Sequence, residues 1–567
     1  MKRRDFLTKL PALTALPFAI NGICFNVLAD TLSPLQRLAA NCPNDRVLII
    51  LQLHGGNDGI NMLLPISDYD TYYNLRANIA ISDKGPRSFI KLDSTLANPD
   101  QIGLHPDMVG VKSMYDQGLV RLIQGVSYEN QDQSHFRGRD ILFMGGGADD
   151  YPTSGWAGRY FKDYYAPSVY PGDFPNASMP DPLALEFSND LSLVFHQDHN
   201  IPTSITIDDP ASFFNLVDTL PGYDDKPGLD PRGIPPAGVA NSPYGKEMDW
   251  ILNLEQKSDE YHSRILDVYN KGKLTDPKIS YPLTYPLLAP TKQLQNPLSS
   301  RLKIIANMIQ GGSKTKIYLI RMGGFDTHAQ QVETTDASMG SHAALMYHIS
   351  SAMRAFQDDL KARSIDDRVL TMTTSEFGRR IYANGSYGTD HGLGAPMMLF
   401  GKAVVPGLSG TNPDLTKDNV GLQFDYRQVY ATILKDWMCA NPAKVDDAFG
   451  ILWGKEYKDK GVTLPIINNN LVTNVNDFVR ERFYMNNCYP NPASNHTDIA
   501  FYLNTSCTVT ILLNDSTGKL VKTVVSKNYP VGENKISVDL RDVPAGVYFY
   551  QIETSYFKDA KKLIIQK

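Results

Sequence analysis

Five short stretches of the chain are almost continuously apolar: Val47 to Leu53, Leu119 to Val126, Ile317 to Met322, Val369 to Thr373 and Pro396 to Phe400. Runs of this length without polar alternation are what strands buried on both faces require. Between and beyond them, Tyr244 to Tyr269, Leu302 to Ile309, His342 to Ala362 and Tyr426 to Met438 repeat their apolar positions with a helical period. This alternation predicts an α/β domain over residues 30–467, a mostly parallel sheet flanked by helices. Residues 150–240 are rich in Pro, Asp, Gly and Tyr with little periodicity, and read as an irregular insertion that caps or borders a site. No repeat of solenoid or propeller period is visible.

The pattern changes near the C-terminus. An Asn-rich stretch, 468–487, reads as helix plus linker, and 488–567 alternates apolar and polar residues in short runs such as Thr508 to Leu513, Val521 to Val525, Lys535 to Leu540 and Val547 to Ile552. Turn residues separate these runs, which predicts a small all-β sandwich. The N-terminus has yet another pattern: Met1-Lys-Arg-Arg-Asp-Phe-Leu-Thr-Lys precedes a mostly apolar run from Leu10 to Leu28, broken by Pro11, Pro17 and Asn21, with small Ala29 after it. Charge, then apolar run, then small residue is the plan of a signal peptide over 1–29. The run is short and interrupted for a spanning helix, which needs about 20 residues, so no transmembrane helix is expected in the mature chain.

Composition adds limits. A chain of 567 residues exceeds one hydrophobic core, and 42% hydrophobic with 20% charged residues is ordinary for globular domains. A net charge of -6 offers no general nucleic-acid surface. Five cysteines without a CxxC exclude zinc ribbons, and only Cys488 and Cys507, close in sequence, suggest a disulfide.

The chemistry lies just after the predicted strands, where ligands bind in open α/β sheets. His54-Gly-Gly-Asn-Asp58 follows the first strand, and Gln131-Asp-Gln-Ser134-His135-Phe-Arg137 the next; Gly323-Gly-Phe-Asp326-Thr-His328 and Ser375-Glu376-Phe-Gly-Arg379-Arg380 follow later ones. Gly388-Thr-Asp390-His391 instead precedes a strand, which must run antiparallel for its start to reach the same rim. Asp, Glu and His converging from separate loops suit one or two divalent ions, zinc foremost, with calcium, magnesium or manganese as alternatives. Taken singly, each cluster has a plainer reading: Ser134 caps the following helix, His105 lines the pocket or fixes a loop, and Arg379 is solvated or meets an anion. A Gly-x-Ser-x-Gly elbow, a Walker loop, a dinucleotide fingerprint and His-Glu-x-x-His are all missing from the sequence.

Three resemblances follow from these motifs. Lys2 to Lys9 resembles the twin-arginine export motif. Tyr489-Pro-Asn-Pro-Ala, Asp515-Ser-Thr-Gly518, Pro544-Ala-Gly-Val-Tyr548 and Lys561-Lys562 together resemble the type A sorting domain of the type IX secretion system of Bacteroidetes. The middle domain resembles the alkaline phosphatase and sulfatase superfamily, most closely a twin-arginine-exported branch known as a domain of unknown function. The resemblance implies Asp58, Asp326, His328, Glu376, Asp390 and His391 as metal ligands, Ser134 as nucleophile with Arg137 beside it, and His105, His135 and Arg379 at the substrate. It implies hydrolysis of phosphate or sulfate esters of a small molecule or glycan through a seryl intermediate. Ser134-His-Phe-Arg137 lacks the proline and spacing of the formylglycine motif, so that chemistry is disfavoured. Glu376-Phe377 stands where the phosphatase pattern has Asp-His, so the alternative is a noncatalytic surface protein with a remodelled metal site that binds polysaccharide or a partner. The two ends imply the twin-arginine translocase and the type IX machinery as partners, and a secreted or surface location reached through periplasm and outer membrane.

Overall fold

The computed structural model describes chiefly residues 45–188, 190–208, 261–274, 279–441, 463–468 and most of 483–567. The predicted signal peptide, most of the linker, the second half of the predicted insertion and the start of the Tyr244 to Tyr269 helix lie outside the described residues. The chain divides into a unit of Asn44–Leu471 and a second unit holding Val472–Lys567 together with Met1–Pro43.

The larger unit is built on a nine-stranded sheet. Its strands are β1 (Val47–Leu53), β2 (Val120–Ser127), β3 (Ala184–Phe187), β4 (Ser204–Thr206), β5 (Ile317–Met322), β6 (Val369–Thr374), β7 (Ala395–Phe400), β8 (Gly407–Ser409) and β9 (Phe424–Asp425). Their order is β4-β3-β5-β1-β6-β7-β2-β8, with β9 also paired to β2. Every pairing is parallel except those of β7, which runs antiparallel between β6 and β2, as its preceding Asp390-His391 demanded.

All seven residues of β1 are buried, and they alternate between two cores: Val47, Ile49, Leu51 and Leu53 face one, Leu48 and Ile50 the other. Helices α1 (Val109–Asp116), α4 (Pro297–Gln310) and α5 (Ser341–Ala362) cover the first face. Helices α2 (His135–Met144), α3 (Trp156–Tyr164) and α6 (Tyr426–Thr432) cover the second. This is the expected α/β architecture, with one correction. Residues 150–208 are not a simple cap, because they supply α3 and two strands of the central sheet, β3 and β4. Strands of four and three residues leave too short a pattern to read against Pro-rich surroundings.

The named strands of the C-terminal unit all pair antiparallel. Phe483–Met485, His496–Leu503 and Gly532–Asp539 form one sheet; Leu520–Tyr529, Cys507–Asp515, Gly546–Glu553 and Lys558–Ile565 form the other. Ile499, Phe501, Leu503, Val509, Ile511, Leu513, Tyr550 and Ile552 make a core of its own. In the Tyr-Pro-Asn-Pro opening, the Asn491 amide donates to the Lys562 carbonyl and accepts from the Ile564 N–H, both at 2.8 Å, so one side chain docks the opening on the last strand. The expected Cys488–Cys507 bridge is not formed; both thiols are free and buried, whereas Cys439 is disulfide-bonded. Closeness in sequence does not bring two Cβ atoms within bonding range. No helix among the described residues is long and apolar enough to cross a membrane.

Candidate metal centre

Because β1, β2, β5 and β6 run parallel and β7 runs against them, the ends of the first four and the start of β7 share one rim. Four side chains meet there. Asp326 Oδ1 lies 3.4 Å from His328 Nε2, 3.6 Å from His135 Nε2 and 3.9 Å from His391 Nε2. The Nε2 atoms of His328 and His391 are 2.9 Å apart, a distance at which two imidazoles share a proton or a cation. One ligand atom from each of His135, Asp326 and His391 falls within 4.8 Å of the others.

Each imidazole is held from behind through Nδ1. His135 is fixed by Glu376 Oε1 at 2.9 Å and His391 by the Gln133 carbonyl at 2.7 Å, while His328 Nδ1 faces Asp390 Oδ1 at 3.6 Å. A carbonyl only accepts, so His391 keeps its proton on Nδ1 and turns the lone pair of Nε2 to the cluster. Such carboxylate or carbonyl backing is the usual outer layer of a metal-bound histidine. Phe377 is buried and packs on the rings of His391 and His135, with centroids at 4.3 and 4.9 Å. Phe377 therefore sets the planes of two imidazoles.

The electrostatics agree. The hydrogen bond to Glu376 raises the His135 pKa above the usual imidazole value. Burial lowers that of His391. Burial would raise the Asp326 carboxyl, but Arg379, donating to Oδ1 at 2.8 Å, more than offsets it and leaves the group below the usual carboxylate range. Glu376 is buried, accepts from the Gly55 N–H at 2.7 Å, and its Oε2 has no hydrogen-bond partner among the described residues.

Four-coordinate zinc with N and O ligands at about 2.0–2.2 Å separates those ligands by roughly 3.3 Å. The distances from Asp326 Oδ1 to the imidazoles lie near that value, and imidazoles with a carboxylate favour zinc or another transition ion over magnesium or calcium. The residues present fit one divalent ion, held by His135, Asp326 and His391, with His328 beside Asp326 and His391, and Glu376 and Gln133 behind.

Several residues expected at the site are engaged elsewhere. Both oxygens of Asp58 accept from Arg76 Nη1, at 2.7 and 2.9 Å, with both side chains fully buried. Asp58 also caps the short helix Gly59–Met62, so its carboxylate is satisfied within the protein. His105 is buried and accepts from the Asp107 N–H at 3.1 Å. Arg137 donates to the Ala148 and Asp150 carbonyls at 2.8 and 2.6 Å and stacks on Tyr151. Arg379 is buried; besides Asp326 it binds the carbonyls of Gly55, Gly56, Phe325 and Thr389, which makes it a clamp for Asp326. Ser134 is the N-cap of α2 and accepts from the Arg137 N–H at 3.3 Å. Its neighbours Gln133 and His135 both touch the cluster. The position of His135 in the inner set, rather than at substrate, has a sequence signal: it follows a strand end, as Asp326 and His328 do.

Residues 300–453 match the family described as protein of unknown function DUF1501, and residues 487–566 match the secretion system C-terminal sorting domain. The DUF1501 match includes Asp326, His328, Glu376, Asp390 and His391, while His135 precedes it. No curated protein matches the chain. Similar solved structures include dimeric latent PorU from Porphyromonas gingivalis, 20% identical over 15% of this chain with a TM-score of 0.13; the match spans only 9% of PorU. PsFucS1 sulfatase from Pseudoalteromonas sp. is 10% identical, with 90% of this chain and 88% of that one covered and a TM-score of 0.30. Alkaline phosphatase from the Antarctic bacterium TAB5 is 11% identical, with 72% and 99% covered and a TM-score of 0.22. The chain thus carries a DUF1501 region and a C-terminal sorting domain of the type IX secretion system, which directs it across the outer membrane to the cell surface or beyond.

Proposed function

We propose that the chain is an exported hydrolase of phosphate or sulfate esters that depends on one divalent metal ion, most simply zinc. The observation that supports this most directly is the convergence of three backed imidazole Nε2 atoms and Asp326 Oδ1 at the carboxyl rim of the sheet. A bound ion would supply Lewis-acid polarisation of an ester oxygen and neutralise its charge. The protein's own share is positional. Arg379 keeps Asp326 ionised, Glu376 and Gln133 orient His135 and His391, and Phe377 excludes water beneath them. Ser134 is the proposed nucleophile: it opens α2, where free N–H groups and the helix dipole favour an anionic oxygen. The Arg137 N–H that its hydroxyl accepts from would equally stabilise a seryl alkoxide. The N-terminal motif supports twin-arginine export, which carries folded chains and so allows loading of the ion before the first membrane is crossed.

A second reading, a noncatalytic metal-containing surface protein that binds polysaccharide or a partner, is favoured by two features. Arg137 is turned onto backbone carbonyls and Ser134 already serves as a cap. The full chain assayed for bound metal and for aryl phosphate and aryl sulfate hydrolysis separates the two. The hydrolase reading expects about one ion per chain, loss of metal and activity in Asp326→Ala, and loss of activity with metal retained in Ser134→Ala. Metal retained with no turnover in any form would leave the noncatalytic reading; absence of metal from the wild type would end both.

A further inference from the structure

The two loops that supply Asp326, His328 and His391 come from opposite ends of strands, β5 and β7, and something must hold them in register. The structure assigns that task to Gln331, a fully buried residue that makes no contact with the proposed ion. Its side-chain Oε1 accepts from the Thr327 hydroxyl at 2.9 Å and the Thr389 hydroxyl at 3.2 Å. Thr327 stands between Asp326 and His328; Thr389 directly precedes Asp390 and His391. Its Nε2 donates to Asp58 Oδ2 at 2.6 Å, which ties both loops to the end of β1. The orientation of the amide is dictated by chemistry, since a carboxylate can only accept and must face the NH2 end. The main chain of Gln331 is used as fully, donating to the Tyr387 carbonyl and accepting from the His342 N–H.

Asp58 is the fixed end of this chain. Arg76 and the start of Gly59–Met62 immobilise it, so a movement of either loop must stretch a bond to a buried carboxylate. The Thr389 N–H also donates to the Thr327 carbonyl at 3.1 Å, a direct loop-to-loop bond that Gln331 reinforces from below. Gln331 is thus a positioning residue for the metal-binding set, and Asp58, whose place at the first strand end suggests a ligand, acts one step further back. This inference rests on the metal-centre reading above.

The test uses the full chain, with Zn2+ affinity measured by competition against a chromophoric chelator and apo-protein melting measured separately in EDTA. Outer groups of this kind are worth about 10–100-fold in metal affinity. Gln331→Leu, close in volume but unable to hydrogen-bond, is expected to weaken Zn2+ binding by about that factor. Thr327→Val and Thr389→Val, milder changes should Gln331→Leu not fold, are expected to weaken it severalfold, and Thr389→Ser to restore it. Once Gln331 is Leu, Thr327→Val should cost no further affinity, because the hydroxyl has already lost its acceptor; a residue that only stabilises the fold would not show that coupling. Lower melting in EDTA with Zn2+ affinity within about threefold of wild type would overturn the assignment while leaving the metal centre intact. A wild-type chain that binds no Zn2+ would overturn the metal reading and this inference with it.

Discussion

Asp58 illustrates how far single residues could be read from sequence. An aspartate at the end of the first strand is a reasonable ligand, yet Arg76, eighteen positions later, takes both of its oxygens. No spacing rule announces that partner, because it follows the separate helix Tyr69–Leu75 and returns only through the tertiary fold. Asp326, His328 and His391 were legible because they are adjacent to strands; Gln331 was not, because its meaning lies in contacts with four separate segments. The buried pair makes a definite prediction. Removing one member of such a pair costs about 3–5 kcal/mol, so Arg76→Met should lower urea stability by that order, and Asp58→Asn in the same chain should recover part of it. The pH dependence follows as well. Burial would raise the Asp58 carboxyl, but Arg76 holds it at about 2 against an ordinary 3.8. The stability it contributes is present above 3.8 and is lost as pH falls towards 2. His342, fully buried beside Asp58, Arg76 and His105, is pushed down by burial to about 4 from 6.5. Between those values the unfolded chain binds a proton that the folded one refuses, so stability declines on acidification from 6.5 to 4. Urea midpoints measured across that window should fall in the wild type and fall less in His342→Asn.

At the scale of elements, the strands that carry the site were the easiest part of the fold to foresee. β1, β5 and β6 are buried on both faces, and burial on both faces leaves a continuous apolar run. The direction of β7 was foreseeable from chemistry, since only an antiparallel strand brings Asp390-His391 to the rim. β3 and β4 were hidden because three or four residues cannot display a period, and the place of β3 in the sheet is set by pairing with β5, over a hundred residues away in sequence, while β4 pairs with β3. The joint between β1 and β5 is unusually close. Gly55 adopts φ +125°, and a Cβ there would stand 2.2 Å from the Asp326 main-chain nitrogen. Gly55→Ala is therefore expected to push the Asp326 loop outward, costing about 1–3 kcal/mol of stability and weakening Zn2+ binding more than Gln331→Leu does. Unchanged affinity in Gly55→Ala, measured by the same chelator competition, would mean that the loop can retreat without disturbing the carboxylate.

For the whole molecule, two cores and two kinds of sheet separate the site from the address. The larger unit contains every residue of the proposed centre, whereas the sorting sandwich buries its own apolar set, which includes Ile499, Val509 and Ile565. A domain with its own core can be removed without unfolding its neighbour. Deletion of residues 488–567 should accordingly leave the melting temperature, metal content and any ester hydrolysis of the remaining chain close to those of the full protein. What the deletion should remove is the final crossing. In a host with a type IX system, the full chain is expected in the medium or exposed to protease on intact cells, and the truncated chain inside the outer membrane, released by osmotic shock. Fractionation with an antibody to the larger unit reads this directly. A truncated chain still found outside would show that the sandwich is not the address, and a truncated chain that has lost its metal would show that the two cores depend on one another.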